Sequence, residues 1–552
     1  MASRFGPLLL AGVAAFAIGV AVGAGGKDPR QQVAQEFADA WSGGDYAAMH
    51  ALLTPEAQRR VPLQRFAAIY RDAARTSTLD GVRAGRAREP GDGTVTVPVA
   101  MRTRLFGTLR GGVALPVVEQ DDGAAIGWQR NLVQPGLRRG EQLRRETELP
   151  ERAAILARDG TPLAHGEDRL SDLGPLAAEI AGRVGPAPPE RAAELARRGV
   201  PDGAPVGLTG LERQFDTELA GTPGGRLLAG SRVLASVQAE RGHAVTTTID
   251  PDVQRAAVTA LAGRLGGVAV IRPKDGEVLA LAGVAYSAPQ PPGSVFKIIT
   301  LTSALESGDA KPSDSYPVET AATLEGVQLE NANGESCGGS LEVAFAHSCN
   351  SVFAPMGVDV GAKKLVKTAE QYGFNQQPAL AGAARSTIPA AAEMGDDLAL
   401  GSTAIGQGKV LATPLLFAGV AGAIAEHGLG VAPTLRKGAA PKRKRMAPEG
   451  VARTVGRYMR TVVTSGTGVA ADIPGVRVAG KTGTAELRDT TNSDPDPDNP
   501  APADPAADTN AWFAAYAPMR KPKVAVAVMV VGAGAGGSTA APVARSVIEA
   551  AL

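Results

Sequence analysis

The chain has almost no cysteine or histidine, few aromatic residues and no surplus of either charge, and each shortage narrows its function. Two lone cysteines, Cys337 and Cys349, and five scattered histidines supply no cluster of metal ligands. Lysine and arginine total 57 against 56 aspartate and glutamate, so the charge balance gives no support to nucleic-acid binding. Aromatics make up 4% of residues while alanine, glycine and arginine abound, which reads as coding bias without functional content. Charge is missing altogether from Phe5 to Gly26, between Arg4 and the group Lys27, Asp28 and Arg30. About 20 apolar residues span a bilayer, so an uncleaved membrane anchor is expected here. The competing reading is a signal peptide cut after the small residues Ala21-Val22-Gly23-Ala24. No cysteine lies near the end of the run, which excludes thioether lipid attachment there. The flanking charges do not fix its orientation.

At 552 residues, 44% of them apolar, the chain holds material for two to four domains. Its most informative stretch is Pro292-Gly293-Ser294-Val295-Phe296-Lys297, an S-x-x-K pair followed by a helical run that stops at Gly308. Pro291, Pro292 and Gly293 cannot easily join that helix, so Ser294 falls in or near its first turn. Residues three apart share a helix face, which brings the Lys297 amine within reach of the Ser294 hydroxyl. A hydroxyl needs a base to become a nucleophile. A lysine serves as one if burial or a second cation lowers its pKa. Two later motifs raise the specificity. Ser348-Cys349-Asn350 follows a short helical run from Leu341 to His347, and Lys481-Thr482-Gly483-Thr484 follows the alternating stretch Val476 to Ala479. With S-x-x-K, S-x-N and K-T-G in this order, the chain resembles the penicillin-binding, acyl-serine transferase family.

The resemblance implies acyl transfer from a peptidoglycan stem peptide ending in D-Ala-D-Ala, with no metal and no cofactor. Ser294 is then the nucleophile and Lys297 its base, kept neutral by like-charge repulsion from Lys481. Ser348 relays a proton to the leaving amine, and Asn350 orients Lys297 and holds a substrate amide. The N–H groups of Ser294 and Thr484 form the oxyanion hole. The K-T-G-T strand pairs with the substrate backbone, which requires Gly483 to lack a side chain. Thr482, Thr484 and Lys481 bind the terminal carboxylate. β-Lactam antibiotics would acylate Ser294 and leave slowly. The alternative is hydrolytic, a β-lactamase or D,D-carboxypeptidase, and a third reading is a β-lactam sensor or scaffold. No E-x-x-L-N element follows Asn350, so the deacylating glutamate of class A β-lactamases has no counterpart. An extracytoplasmic location permits a disulfide between Cys337 and Cys349, but the intervening helix would hold them apart, so their pairing is left open.

The implied fold is multidomain α+β. Residues 1–26 are the anchor. In 27–140, helical patterns from Gln31 to about Arg60 break at Gly43-Gly44-Asp45, and strands follow around Thr94–Val99 and Val113–Val118. With Gly127-Trp128-Gln129-Arg130, this resembles the cone-shaped, nuclear-transport-factor-like domain of resistance-type penicillin-binding proteins. Residues 141–245 resemble the elongated dimerisation or pedestal domain of class B members, through Arg152 to Gly160 and Gly207 to Phe215. There Arg152 and Glu212 are candidates for a buried ion pair. Residues 246–552 are the transpeptidase domain, an antiparallel sheet flanked by helices as in serine β-lactamases. Its opening hairpin is Val268–Arg272 and Val278–Leu281 around the turn Asp275-Gly276. The protein is thus expected in the cytoplasmic membrane, single-pass, with its catalytic domain outside. No glycosyltransferase module is evident, so a separate glycan polymerase is an implied partner.

Three motifs mislead. Gly475 to Thr482 fits the G-x-x-x-x-G-K-T of a phosphate-binding loop, but its intermediate positions alternate as a strand and no helix opens at Lys481. Gly532 to Gly537 fits G-x-G-x-x-G, but the chain given leaves no room for the second strand of a dinucleotide fold, so a tight strand-to-helix turn is expected. His347 beside Ser348 suggests a catalytic triad, yet no G-x-S-x-G elbow frames either serine, and a helix-terminus role fits better. The basic run Lys442-Arg443-Lys444-Arg445 is expected to be a solvated loop. The acidic, proline-rich run 494–508 reads as a flexible insertion without calcium-loop spacing.

Overall fold

The computed structural model describes residues 28–89, 94–121, 123–487 and 505–552. The expected anchor, 1–26, and residues 494–504 of the acidic run lie outside the described residues. Among the described residues no helix is long and apolar enough to cross a membrane. The chain forms two compact units, which divide the segment 141–245 between them. One comprises residues up to Glu148 with Glu194–Val200 and Pro223–Gln238. The other comprises Leu149–Ala193, Pro201–Thr222 and Ala239–Leu552.

The first unit opens with four helices: α1 (Pro29–Gly43), α2 (Tyr46–Ala51), α3 (Pro55–Arg60) and α4 (Leu63–Thr76). The break after α1 has a local cause. Gly44 takes φ +72°, and its N–H caps the Ala40 and Trp41 carbonyls. Asp45 then accepts from the N–H groups of Ala47 and Ala48 to start α2. An antiparallel sheet follows in the order β1 (Leu79–Ala84), β2 (Thr94–Thr103), β3 (Thr108–Gln120), β4 (Gly123–Ile126). Val95, Val97, Val99 and Met101 alternate inward from β2 and pack with Phe37, Trp41, Phe66, Tyr70 and Trp128. The Trp128 indole donates to the Tyr70 hydroxyl at 3.1 Å, which satisfies both polar tips inside this apolar core. A second antiparallel sheet joins Leu143–Glu148, Gly224–Ala229 and Arg232–Val237.

The second unit is built on a five-stranded antiparallel sheet. Its strands are β5 (Gly266–Ile271), β6 (Val278–Gly283), β7 (Ala479–Glu486), β8 (Thr509–Ala517) and β9 (Val524–Val530), in the order β6-β5-β9-β8-β7. Alternation assigns the two faces. Val524, Val526, Val528 and Val530, with Phe513 and Ala515, meet α5 (Pro251–Leu261) and the C-terminal helix Ala540–Ala551. Ala525, Ala527 and Met529, with Trp512, Ala514 and Tyr516, face the larger cluster that contains α6 (Lys297–Ser307) and the Ala/Gly-rich helix Pro414–Ala425. The predicted hairpin forms, with Gly276 at φ +74° and Val270 opposite Ala280. Among the described residues β7 is an edge strand, paired only with β8.

The misleading motifs resolve as expected. Lys481 and Thr482 lie inside β7, not at a helix start, and Gly532–Gly537 is the turn between β9 and the C-terminal helix. The basic run departs from expectation. Arg443–Arg445 is a short strand paired with Leu429–Val431, with all three side chains exposed. Backbone pairing needs no buried side chain, and cations on an exposed edge discourage further pairing.

Candidate active site

Ser294 precedes α6 in a single 3-10 turn, Gly293–Phe296. Two features hold that turn. Phe296, Ile298, Ile299 and Leu301 are fully buried beneath it. Gly293 takes φ +54°, and a Cβ there would sit 2.4 Å from the Thr484 carbonyl oxygen. Gly483 is constrained from the other side, since a Cβ would lie 2.7 Å from the Pro292 carbonyl and 3.0 Å from the Val295 nitrogen. The nucleophile turn and β7 therefore meet backbone to backbone. The absence of a side chain at Gly483 has this internal cause, besides any approach of a substrate.

The Lys297 amine is fully buried and committed. It donates to the Ser348 carbonyl at 2.6 Å and to Asn350 Oδ1 at 2.6 Å, with Ser348 Oγ at 3.3 Å. Among the described residues these oxygens are the hydrogen-bond partners of the Lys297 amine. Ser348 lies in the turn between α7 (Leu341–Ala346) and α8 (Asn350–Val360), Cys349 is the N-cap and Asn350 opens α8. Ser348 takes φ +63°, a left-handed conformation uncommon for serine. His347 caps the end of α7 and is exposed, which removes it from the serine chemistry.

Lys481 is the second fully buried lysine. Its position opposite Ala514 turns it to the same sheet face as Trp512, where Nζ donates to Ser348 Oγ at 2.8 Å and to the Thr482 carbonyl at 3.0 Å. Ser348 thus lies between the two amines. Burial first, and the charge of Lys481 second, hold the Lys297 amine well below the usual lysine range. Burial alone pushes Lys481 down to about 7.

Alternation along β7 sends the two threonine side chains to the other face. Thr482 Oγ1 lies 2.5 Å from Thr467 Oγ1, and Thr484 Oγ1 accepts from the Gly536 N–H at 3.3 Å. The structure thus brings Lys297, Ser348, Asn350 and Lys481 into one hydrogen-bonded group. Ser294 and the K-T-G-T backbone lie against one another, and the Thr482 and Thr484 hydroxyls are engaged behind the strand. Thr467 was not legible from motifs. Its only signal is its place between Gly466 and Gly468, directly after a long helix. The Thr467 N–H and hydroxyl both donate to the Ala346 carbonyl, at 3.1 and 3.4 Å, two residues before Ser348. The disulfide left open by the sequence is formed. Cys337 and Cys349 are bonded with their Cα atoms 5.4 Å apart, since the chain turns back after α7 and does not extend beyond it.

A serine at the head of a buried helix, two desolvated lysines and a free strand edge define an acyl-serine transferase. Residues 266–549, more than half of the chain, match the penicillin-binding protein transpeptidase domain, and 160–245 match the penicillin-binding protein dimerisation domain. The chain is similar to the peptidoglycan D,D-transpeptidase PbpA of Mycolicibacterium smegmatis, with 34% identity over 62% of this chain and 79% of the relative. Among solved structures it resembles penicillin-binding protein A from M. tuberculosis in its penicillin G acyl-enzyme complex. The TM-score is 0.57 at 28% identity, over 73% of this chain and 99% of that one. The transpeptidase domain from Eggerthella lenta gives a TM-score of 0.59 at 27% identity, over 73% of this chain and 98% of that one. The chain belongs to the class B penicillin-binding proteins.

Proposed function

We propose that this protein is a peptidoglycan D,D-transpeptidase that cross-links stem peptides through a Ser294 acyl-enzyme and is acylated at the same serine by β-lactams. One observation carries the residue assignment. The two N–H bonds of a neutral Lys297 amine are taken up by Ser348 O and Asn350 Oδ1, which leaves its lone pair for a hydroxyl proton. Ser294 attacks the carbonyl of the penultimate D-Ala, and its proton passes to Lys297. The oxyanion is held by the N–H groups of Ser294 and Thr484. Ser348, between Lys297 and Lys481, passes a proton to the leaving D-Ala nitrogen. Charged Lys481 attracts the substrate carboxylate, Thr482 and Thr484 reach it only by exchanging their present bonds to Thr467 and Gly536, and the open edge of β7 accepts the peptide backbone as an added strand. The acyl group then moves to an amine of a neighbouring stem.

The remaining assignments belong to the same reading. Residues 1–26 anchor the protein in the cytoplasmic membrane, with the catalytic domain outside. Residues 27–140 form a nuclear-transport-factor-like domain, a reading supported by four helices followed by a four-stranded antiparallel sheet. Residues 141–245 are the pedestal and 246–552 the transpeptidase domain, and a separate glycan polymerase supplies the glycan strands.

The test is fluorescent penicillin on the full-length protein in detergent. The wild type is expected to take up label that persists for many minutes. Ser294→Ala is expected to take up none, and a labelled Ser294→Ala protein would overturn the assignment. Rapid loss of label from the wild type would make the enzyme a hydrolase.

A further inference from the structure

Both cysteines of the chain lie in one disulfide, and one of them sits inside the Ser348-Cys349-Asn350 motif. The motif is held from two directions. On its N-terminal side, the N–H groups of Ser348 and Cys349 donate to the Phe345 and Ala344 carbonyls at 3.2 and 3.0 Å. On its C-terminal side, three hydrogen bonds tie it to the segment Glu330–Cys337. Asn350 Nδ2 donates to the Glu330 carbonyl at 2.6 Å, and the Ser351 N–H donates to Asn331 Oδ1 at 2.9 Å. Ser351 Oγ donates to the Cys337 carbonyl at 3.2 Å. Asn331 is itself 4% exposed, and its Nδ2 donates to the Glu319 and Glu335 carbonyls at 2.7 and 2.9 Å. The disulfide is the covalent member of this set.

Between the two holds, Ser348 keeps its left-handed φ. That conformation persists in a serine only when its surroundings over-determine it. It is also what aims the Ser348 carbonyl at the Lys297 amine, and relaxation would swing Ser348 and Asn350 off that amine together. Cys337 is 7% exposed and Cys349 not at all, so an external thiol has no approach to the bond in the folded state. The bond is a permanent brace and not a switch.

We propose that Glu330–Cys337, through Asn331 and the Cys337–Cys349 bond, is a positioning clamp that keeps Ser348 and Asn350 on Lys297 and thereby sets the rate of Ser294 acylation. The proposal rests on Ser294 being the acylated residue. Among the described residues Lys297 faces one charged group, Lys481 on β7; what it meets from the turn before α8 and from α8 itself is the Ser348 and Asn350 oxygens and the Phe353 ring. Its neutrality depends first on burial, so a loosened clamp admits water and moves the rising limb of the pH profile to higher pH.

The experiment compares full-length wild type with the Cys337→Ser/Cys349→Ser double variant, following penicillin acylation from pH 5 to pH 10. The acylation rate constant is expected to fall by about tenfold or more, with affinity before acylation held within about threefold. The rising limb is expected to move up by about half a pH unit or more. A variant with wild-type circular dichroism, a rate within about twofold and an unmoved profile overturns the clamp. If the double variant does not fold, Asn331→Ala, which keeps the disulfide, decides by the same readouts. A wild type that takes no label overturns the clamp and the Ser294 reading together.

Discussion

The chemistry turns on two lysine side chains that share one serine hydroxyl inside the fold. Lys297 and Lys481 are both fully buried, and Ser348 Oγ lies 3.3 Å from one amine and 2.8 Å from the other. Two ammonium ions cannot be held so close in a desolvated site without a large cost, so the pair shares its charge unequally. Lys481, pushed down to about 7 by burial, carries charge on the acid side of neutrality, and burial with the Lys481 charge disfavours a second charge on Lys297. Acylation by a carboxylate-bearing penicillin is therefore expected to fall as pH rises above about 7, by about a decade per unit at the limit. A β-lactam esterified at that carboxylate is expected to show no such fall, and identical profiles for the two would remove Lys481 from carboxylate binding. The stability effect has the opposite sense in pH. Folding lowers the Lys481 pKa from an ordinary value near 10.4, so across about pH 7 to 10 the unfolded chain binds the extra proton. The cost of burying Lys481 is complete below that window and fades toward its top. Lys481→Met is then expected to abolish labelling yet stabilise the protein by roughly 2–4 kcal/mol at pH 6, with the gain vanishing above pH 10. Urea denaturation at pH 6 and pH 10 checks this, and equal effects at both would refute it.

At the scale of elements, β7 is pinned by neighbours that come close only because glycines let them. A Cβ on Gly536 would lie 2.2 Å from the Trp512 carbonyl and 2.3 Å from that of Gly483, and one on Gly537 would lie 2.4 Å from that of Thr467. The turn 532–537, which imitates a nucleotide fingerprint, is thus the backing of the motif strand. Thr467 completes that backing by bonding the Thr482 hydroxyl. Thr467→Val removes the hydroxyl's bonds to Thr482 and to the Ala346 carbonyl; the first bears on the motif strand and is worth about 0.5–1.5 kcal/mol, so penicillin affinity before acylation is expected to weaken by about 2- to 10-fold. The acylation rate constant is expected to stay within about twofold, and a split in the other direction would make Thr467 part of the acylation step. The disulfide belongs to this scale too. Its closed loop is short, and its removal is expected to cost about 3 kcal/mol of stability, measured by urea denaturation. The local motifs were legible because spacing alone decides which residues share a helix turn or a strand. Thr467, Asn331 and the cysteine pairing were not, because each acts across a turn that only tertiary packing closes. α4 (Leu63–Thr76) lies beyond the helical pattern that runs to about Arg60, and the charge of the basic strand hides its pairing.

At the scale of the whole molecule, the second unit carries a buried ion network built from residues outside the three motifs. The Arg152–Glu212 pair expected by resemblance is present at 2.5 Å, but it is a fragment of a larger set. Arg152 also reaches Asp216 at 2.9 Å, Arg169 donates to Glu212 at 2.7 Å, and Arg191 meets Asp216 at 2.8 Å. Sequence showed the pair because family spacing marks it. It could not show Arg169, which arrives from a turn, and Arg191, which closes the 3-10 turn Pro189–Arg191. For Asp216, burial alone would raise the carboxyl, but the Gly207 N–H, Arg191 and Arg152 outweigh it and hold the pKa below the usual aspartate range. The two carboxylates are 1% and 3% exposed, so neither can turn to water if Arg152 is lost. Removing one partner of a buried pair typically costs about 3–5 kcal/mol, because the other charge stays desolvated. Arg152→Met is therefore expected to lower stability by about that amount. The protein that remains folded should still take penicillin at the wild-type rate, since Lys297, Ser348 and Asn350 keep all their partners. Urea denaturation and labelling on the same preparation decide it. Unchanged stability would mean that the network carries no net strength. Slowed labelling in the folded protein would mean that the network reaches the catalytic turn through the packing of the unit.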